Sequence, residues 1–252
     1  MPSQRKPVWN KVIFVDWHGV LSCDPFWLSI LHNTDHPLHH RLTVATETLF
    51  RDESLIHDWM RGDISANQIL ASLDIEPDDS FPPGYLRRKL VEDCQLMQVN
   101  QRLVQILREA RQQGIGIVLA TDNMDCFLEA FLQTRQQRPL ATQSAEGETV
   151  TFRSTVQMFD DVLCSCAQRA LKRENPERFY GNWLSEYSLE FRDALLLDDL
   201  EVNCRAFQRA GGIALQITDQ RSGNDADLLW SLIHDWDQET SPGISPGKLN
   251  FG

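Results

Sequence analysis

The ten residues "VIFVDWHGVL", Val12 to Leu21, decide how the rest of the chain is read. An apolar run meets an aspartate, and two residues later come a histidine and a glycine. A short Val/Ile/Phe run without alternation has the composition of a strand buried on both faces. Asp16 then stands where such a strand leaves its sheet.

Three other runs repeat the pattern. "IGIVLAT" ends at Thr121, "ALLLDD" at Asp199 and "GIALQIT" at Thr218, while a weaker one, "FDDVLCS", ends near Ser165. Helical periodicities lie between them. "NQRLVQILREARQQG" places Leu103, Ile106, Leu107 and Ala110 on one face, with Gly114 as its stop. "NPERFYGNWLSEY" opens with Asn175 as an N-cap and Pro176 in the first turn. "LEVNCRAFQRAGG" closes on glycines, and "DADLLWSLIHDW" is amphipathic. Strands alternating with helices predict an α/β fold, a doubly wound, Rossmann-like parallel sheet. Ligands of such sheets sit outside the carboxyl ends of the strands, where Asp16, Thr121 and the pair Asp198–Asp199 fall.

Residues 22–98 break the alternation. They offer helical stretches ("DESLIHDWMRG", "SANQILASL") and a Pro-rich turn at "EPDDSFPPG", but no good buried strand. The expected organisation is therefore a core of residues 1–21 and 99–236 with an inserted α-helical cap, 22–98. A mobile tail, 237–252, follows from its Ser, Pro and Gly content.

A net charge of −12 argues against a nucleic-acid partner, which would call for clustered Lys and Arg. An anionic ligand must instead be held by a local device: a metal, a lysine or a helix N-terminus. No run reaches membrane-spanning length and the first apolar run is too short for a signal peptide, so a cytoplasmic protein without a membrane partner is expected. Oligomeric state is not legible. The six cysteines contain no CxxC pair; Cys164 and Cys166 share one face if their segment is a strand, but no second pair completes a zinc site. Reduced thiols are the expectation. His32, His36, His39 and His40 are metal-like in composition but not in spacing, and read as a solvated surface.

Taken in order, four pieces resemble the motifs of the haloacid dehalogenase (HAD) superfamily, mostly phosphohydrolases with a Rossmann-like core. The first motif, a strand followed by Asp-x-Asp-Gly-Thr/Val, is similar to "VIFVDWHGVL". The second, a strand ending in Thr or Ser, is "IVLATDN". The third, a lysine ahead of a helix, is "LKRENPERF", and the fourth, a strand ending in an acidic pair, is "LLLDDLEVNCRAFQRAGG". The resemblance spans about Val12 to Trp236, and helical insertions after the first motif are that superfamily's commonest cap.

The resemblance implies a Mg²⁺-dependent phosphohydrolase acting on a small phosphorylated metabolite. Asp16 would be the nucleophile, forming an acyl phosphate that water later cleaves. Asp16 and Asp199 would be side-chain metal ligands, with the main-chain carbonyl of His18 as a third and Asp198 supporting the site. Thr121 and Lys172 would hold the phosphoryl oxygens, with Asp122 and Asn123 beside them. For the third motif, counting forward from Ser165 selects Lys172 and counting back from Pro176 selects Arg173; a compact point charge favours Lys172. Arg61, at a turn between cap helices, is a candidate substrate contact.

One position departs from the pattern. The second aspartate of the first motif, which in the superfamily protonates the leaving oxygen and then activates water, is His18 here. An imidazole with an ordinary pKa near ~6.5 can do acid–base work at neutral pH, but it is longer than aspartate. Three readings stay open: His18 replaces the acid/base, the phosphatase is slow, or the substrate needs no such acid. A phosphonatase-like activity meets an obstacle, since no lysine lies between Ser22 and Arg88. A dehalogenase-like one needs no metal, which the acidic pair speaks against. The rival outside enzymology is a ligand-binding or regulatory protein on the same fold.

Overall fold

The computed structural model describes residues 8–76, 78, 81–137, 150–218 and 224–238. Its centre is a parallel sheet of five strands, β1 (Val12–Val15), β2 (Gly116–Thr121), β3 (Asp161–Cys164), β4 (Ala194–Asp198) and β5 (Ile213–Gln216), in the order β3-β2-β1-β4-β5. Val15 is in register with Leu119 on one side and Leu197 on the other, so the loops after β1, β2 and β4 emerge side by side. The chain winds outward in opposite directions from β1. The crevice above β1 and β4 is thus the switch point at which such sheets bind ligands.

Both faces of β1 are covered, which explains its unbroken apolar sequence. Ile13 and Val15 pack into the larger core with Trp17 and the helices of one layer. Val12 and Phe14 face the other layer, where Phe14 meets Tyr180, Trp183 and Phe207. The edge strand β5 differs from expectation: all four of its residues are only half-buried, and among the described residues no strand pairs with its outer side.

Between β1 and the next core helix lie α1 (Leu28–Leu31), α2 (His39–Arg51), α3 (Glu53–Met60), α4 (Ala66–Ser72) and α5 (Tyr85–Cys94), with no sheet strand among the described residues. Their starts follow the sequence. Asp52 accepts from Leu55 N–H ahead of α3, and Ser65 forms a capping box with Gln68 ahead of α4. In the Pro-rich turn, Pro77, Asp79 and Ser80 lie outside the described residues. His32 and His40 are exposed, as a solvated surface requires, whereas His36 and His39 are half-buried, His36 beside the Tyr85 hydroxyl and His39 beside Ile30 O.

The remaining helices are α6 (Gln101–Gln112), α7 (Asp125–Gln136), α8 (Phe152–Val156), α9 (Ser165–Gln168), α10 (Asn182–Glu186), α11 (Glu201–Arg209) and α12 (Asn224–Gln238). Two boundaries correct the sequence reading. The segment after Asn175 begins as a π-helical turn, Glu177–Gly181, although Asn175 Oδ1 still accepts from Arg178 N–H at 3.0 Å as a cap would. Helix α12 runs on to Gln238, so its last turn takes the first two residues assigned to the tail; residues 239–252 lie outside the described residues. Among the described residues, no helix is long and apolar enough to cross a membrane.

Candidate active site

Asp16 leaves β1 still tied to the sheet, its N–H donating to Leu197 O at 2.9 Å. One carboxylate oxygen, Oδ1, accepts from Trp17 N–H at 2.7 Å; the other, Oδ2, lies 2.8 Å from Lys172 Nζ. Lys172, only 1% exposed, also donates to Asp198 Oδ2 at 2.5 Å and to Ala120 O at 3.3 Å. The neighbouring Arg173 turns away to His57 Nε2, 2.8 Å distant. Of the two candidate cations, Lys172 and Arg173, the ammonium is the one placed among the carboxylates.

Burial is the largest influence on Asp16. Together with Asp198 it raises the Asp16 carboxyl to about 7, against the pull of Lys172 and Thr121. Burial likewise works against the charge of Lys172, yet Asp16, Asp198 and Asp122 hold its pKa well above the usual lysine value. One buried ammonium thus serves several carboxylates.

The acidic pair divides its labour. Asp198 is fully buried and its oxygens are occupied: Oδ1 accepts from Leu200 N–H at 2.9 Å and from Asn203 Nδ2 at 3.0 Å, and Oδ2 from Lys172. Asp199 is half-buried and stands against Gly19, where an added Cβ would meet Asp199 Oδ2 at 2.2 Å. With φ +80°, Gly19 both turns the chain and clears space for that carboxylate. Burial first, then Asp198, raises the Asp199 pKa.

Asp16, Asp198 and Asp199 each offer an oxygen within 4.8 Å of the others. Three acids around one lysine leave surplus negative charge, and an all-carboxylate donor set fits a hard divalent cation such as Mg²⁺. The side chain of His18 is not part of this cluster.

On the other side of Asp16, Thr121 is fully buried at the end of β2, and Asn123 is buried beside it. Asn123 Nδ2 reaches His18 Nδ1 at 3.1 Å and Thr121 Oγ1 at 3.4 Å. With Nδ1 of His18 accepting from the amide, Nε2 carries the ring proton, and among the described residues it is buried without a partner in hydrogen-bonding geometry. The ring packs against Phe26 and Phe127. Burial depresses its pKa to about 4, Asp24 offsetting only part of the effect, so the imidazole is neutral at pH 7. Asp122 does not reach the carboxylate cluster; its Oδ1 accepts from Lys172 N–H at 3.0 Å and its buried Oδ2 has no partner among the described residues. Arg61 is turned from the site into ion pairs with Asp58 (3.1 Å) and Glu174 (Nε to Oε2, 3.1 Å).

Several further groups, given no role by the sequence, hold this arrangement together. Ser165 Oγ accepts from Asn123 N–H at 2.9 Å and donates to Met60 O at 2.7 Å, joining the Thr121 loop to the end of α3. Asp125 accepts from Trp59 Nε1 at 2.8 Å and from Ala66 N–H at the start of α4 at 3.0 Å. Trp17, fully buried, wedges between Phe127 and Phe152 with Nε1 on Met97 Sδ at 3.3 Å. Ser165 ends the weak fifth strand, so the strand-end rule that found Thr121 could have found it; Asp125 has no such signal.

No protein-family model matches the sequence, and no curated protein matches it. Solved structures do. A HAD family enzyme of Bacteroides thetaiotaomicron, a mutant in complex with magnesium and inorganic phosphate, superposes with a TM-score of 0.54 at 13% identity, over 84% of this chain and 97% of that one. A predicted HAD-like family hydrolase of Porphyromonas gingivalis gives 0.56 at 14% identity, covering 87% and 96%. The fold is the haloacid dehalogenase fold. L-2-haloacid dehalogenase of Xanthobacter autotrophicus shares it too, with a TM-score of 0.52, 16% identity and coverage of 94% and 84%. Neighbours on the HAD fold thus include an enzyme crystallised with metal and phosphate as well as a dehalogenase.

Proposed function

We propose that this chain is a Mg²⁺-dependent phosphohydrolase acting on a small phosphorylated metabolite through a phosphorylated Asp16. The observation that carries the reading is the cluster at the switch point: Asp16, Asp198 and Asp199 around the buried ammonium of Lys172. A dehalogenase has no use for a third carboxylate there, whereas metal-assisted phosphoryl transfer does. The complex of a similar fold with magnesium and inorganic phosphate supports the same choice.

In this reading Asp16 Oδ2 attacks phosphorus, since Oδ1 is held by Trp17 N–H. Lys172 moves from its bond with Asp16 onto a phosphoryl oxygen, and Thr121 with Asn123 receives another. Asp198 holds Lys172 in place. Asp16, Asp199 and the His18 carbonyl would hold Mg²⁺, which would supply charge neutralisation between the two anions that must meet. Helices α1–α5 form the cap that excludes water from the first step.

His18 gives this reading its own chemistry. A neutral ring whose Nδ1 is taken by Asn123 offers a hydrogen bond from Nε2 but no proton at neutral pH. The substrate's leaving group then departs as an anion, so aryl and acyl phosphates are turned over in preference to alkyl phosphates. The same neutral ring favours a second reading, in which the site binds a phosphorylated ligand and turns nothing over. Phosphate release from a panel of aryl, acyl and alkyl phosphates, with Mg²⁺ or EDTA, separates them. Release that needs Mg²⁺ and disappears in Asp16→Asn supports the hydrolase; binding without release from any member supports the alternative.

A further inference from the structure

Cys164 and Cys166 meet in space as well as in sequence: their sulfurs are 3.4 Å apart where β3 passes into α9. Cys164 is buried and Cys166 half-buried. Three other thiols, Cys94, Cys126 and Cys204, are buried and kept from ionising, Cys204 pushed up to about 12. Cys166 shifts the other way. The hydrogen bond from Cys164 lowers its pKa, while burial raises that of Cys164. Cys164 therefore keeps its proton, shared between Asn123 O at 3.3 Å and the Cys166 sulfur. A half-buried sulfur disposed to ionise, with a protonated thiol in van der Waals contact, is the arrangement of an oxidisable cysteine and its resolving partner.

What lies between the two sulfurs matters as much. Ser165, the intervening residue, is the one that bonds both Asn123 N–H and Met60 O. The carbonyl of Cys166 supports Gly62, the turn between α3 and α4: at φ +72°, a Cβ on Gly62 would meet that oxygen at 2.5 Å. Drawing the sulfurs from 3.4 Å to a disulfide's ~2.05 Å must rotate the peptides on either side of Ser165. That rotation reaches the loop beside Thr121 and the turn of the helical insertion together.

We propose that Cys164 and Cys166 form a reversible disulfide under hydrogen peroxide, and that this disulfide loosens the Asn123 loop and its tie to α3. The Cys166 thiolate attacks the peroxide oxygen, giving a sulfenic acid and releasing hydroxide. The Cys164 sulfur then displaces that oxygen as water, losing its own proton, so that two thiols and one peroxide yield one disulfide and two waters. A ring closed across a single intervening residue is strained, which places the couple among disulfides that dithiols readily reduce. Loss of turnover on oxidation is the consequence for activity, and that part alone rests on the hydrolase reading.

Trypsin cuts after Arg153 and Arg169, so both cysteines fall in one peptide, residues 154–169, with no third. The test is to treat the whole protein with dilute hydrogen peroxide and measure that peptide by mass, with amide hydrogen exchange on the intact chain. The expected peptide is two hydrogens lighter and returns to its reduced mass with dithiothreitol. Exchange at Asn123 and at residues 60–63 rises at least ~10-fold in the oxidised protein. Cys166→Ser and Cys166→Ala block both changes and keep the exchange pattern of reduced wild type. A sulfinic acid at Cys166, an unmodified pair, or Cys164 joined elsewhere overturns the proposal, as does a disulfide that leaves exchange at Asn123 unchanged. These readouts need no substrate, so a chain that releases no phosphate at all contradicts the hydrolase reading without touching them.

Discussion

The strand-end cluster and the seam beneath the helical insertion are both built from ionic side chains, but they are built to different ends. Around Lys172 the charges are out of water and have few alternatives: Asp198 is held by three donors, and Asp16 by the sheet itself. At the seam, Arg61 pairs with Asp58 and Glu174, Arg169 with Asp63 and Gly62 O, and Arg173 with His57, most of them in partial contact with solvent. Exposed pairs are worth ~0–1 kcal/mol, whereas an unpaired charge left by breaking a buried pair is expensive. The cluster is held in one arrangement; the seam is of a kind that can part and re-form.

The sharpest way to break this contrast is to remove the shared cation. Lys172→Met leaves Asp16 and Asp198 buried without their cation, and denaturant unfolding should show a loss of about 3–5 kcal/mol. A loss no larger than that of a surface variant would mean that the cluster is not the structural anchor described here.

Metal comes next. Mg²⁺ at a hundredfold excess over its Kd should stabilise wild type by about 2.7 kcal/mol, read as a rise in Tm, and Asp199→Asn should abolish most of that rise. If Asp199→Asn responds to Mg²⁺ as wild type does, the division of labour between Asp198 and Asp199 is wrong.

These expectations rest on residues that the sequence exposes, because a buried parallel strand advertises itself as an unbroken apolar run and its last residue marks the ligand edge. Asp16, Thr121 and Asp198 were legible for that reason, and so were the five strands. Other features depend on contacts between segments far apart in the chain. That Arg61 is paired with Glu174, across 113 residues, could not be read from the turn it occupies. Ser165 and Asp125 acquire meaning only once the ends of α3 and α4 are placed over them. The π-helical turn at Glu177–Gly181 shares its apolar spacing with an α-helix, so periodicity could not separate the two. His18 was visible as a departure, but its neutrality comes from burial, in a place where its ring packs on Phe26 and Phe127, neither of them a sequence neighbour.

That neutrality predicts a smaller, more selective effect. His18→Asp should restore a proton donor and narrow the rate gap between aryl and alkyl phosphates by about 10²-fold, the range expected of a positioned general acid. An unchanged gap would mean that the second position of the first motif does not govern proton transfer here. Least of all should come from the seam: Arg61→Ala should change unfolding free energy by less than ~1 kcal/mol. A loss several times larger would place the seam with the cluster as a structural anchor.

The account stands most directly on a phosphorylated Asp16. An aryl phosphate, mixed with the Mg²⁺-loaded protein and quenched in acid within the first turnovers, should leave a phosphoryl group on the peptide that contains Asp16, labile to hydroxylamine as an acyl phosphate is. Asp16→Asn should show neither this adduct nor phosphate release. Phosphate released by Asp16→Asn at the wild-type rate, or turnover with the adduct on another residue, would contradict it.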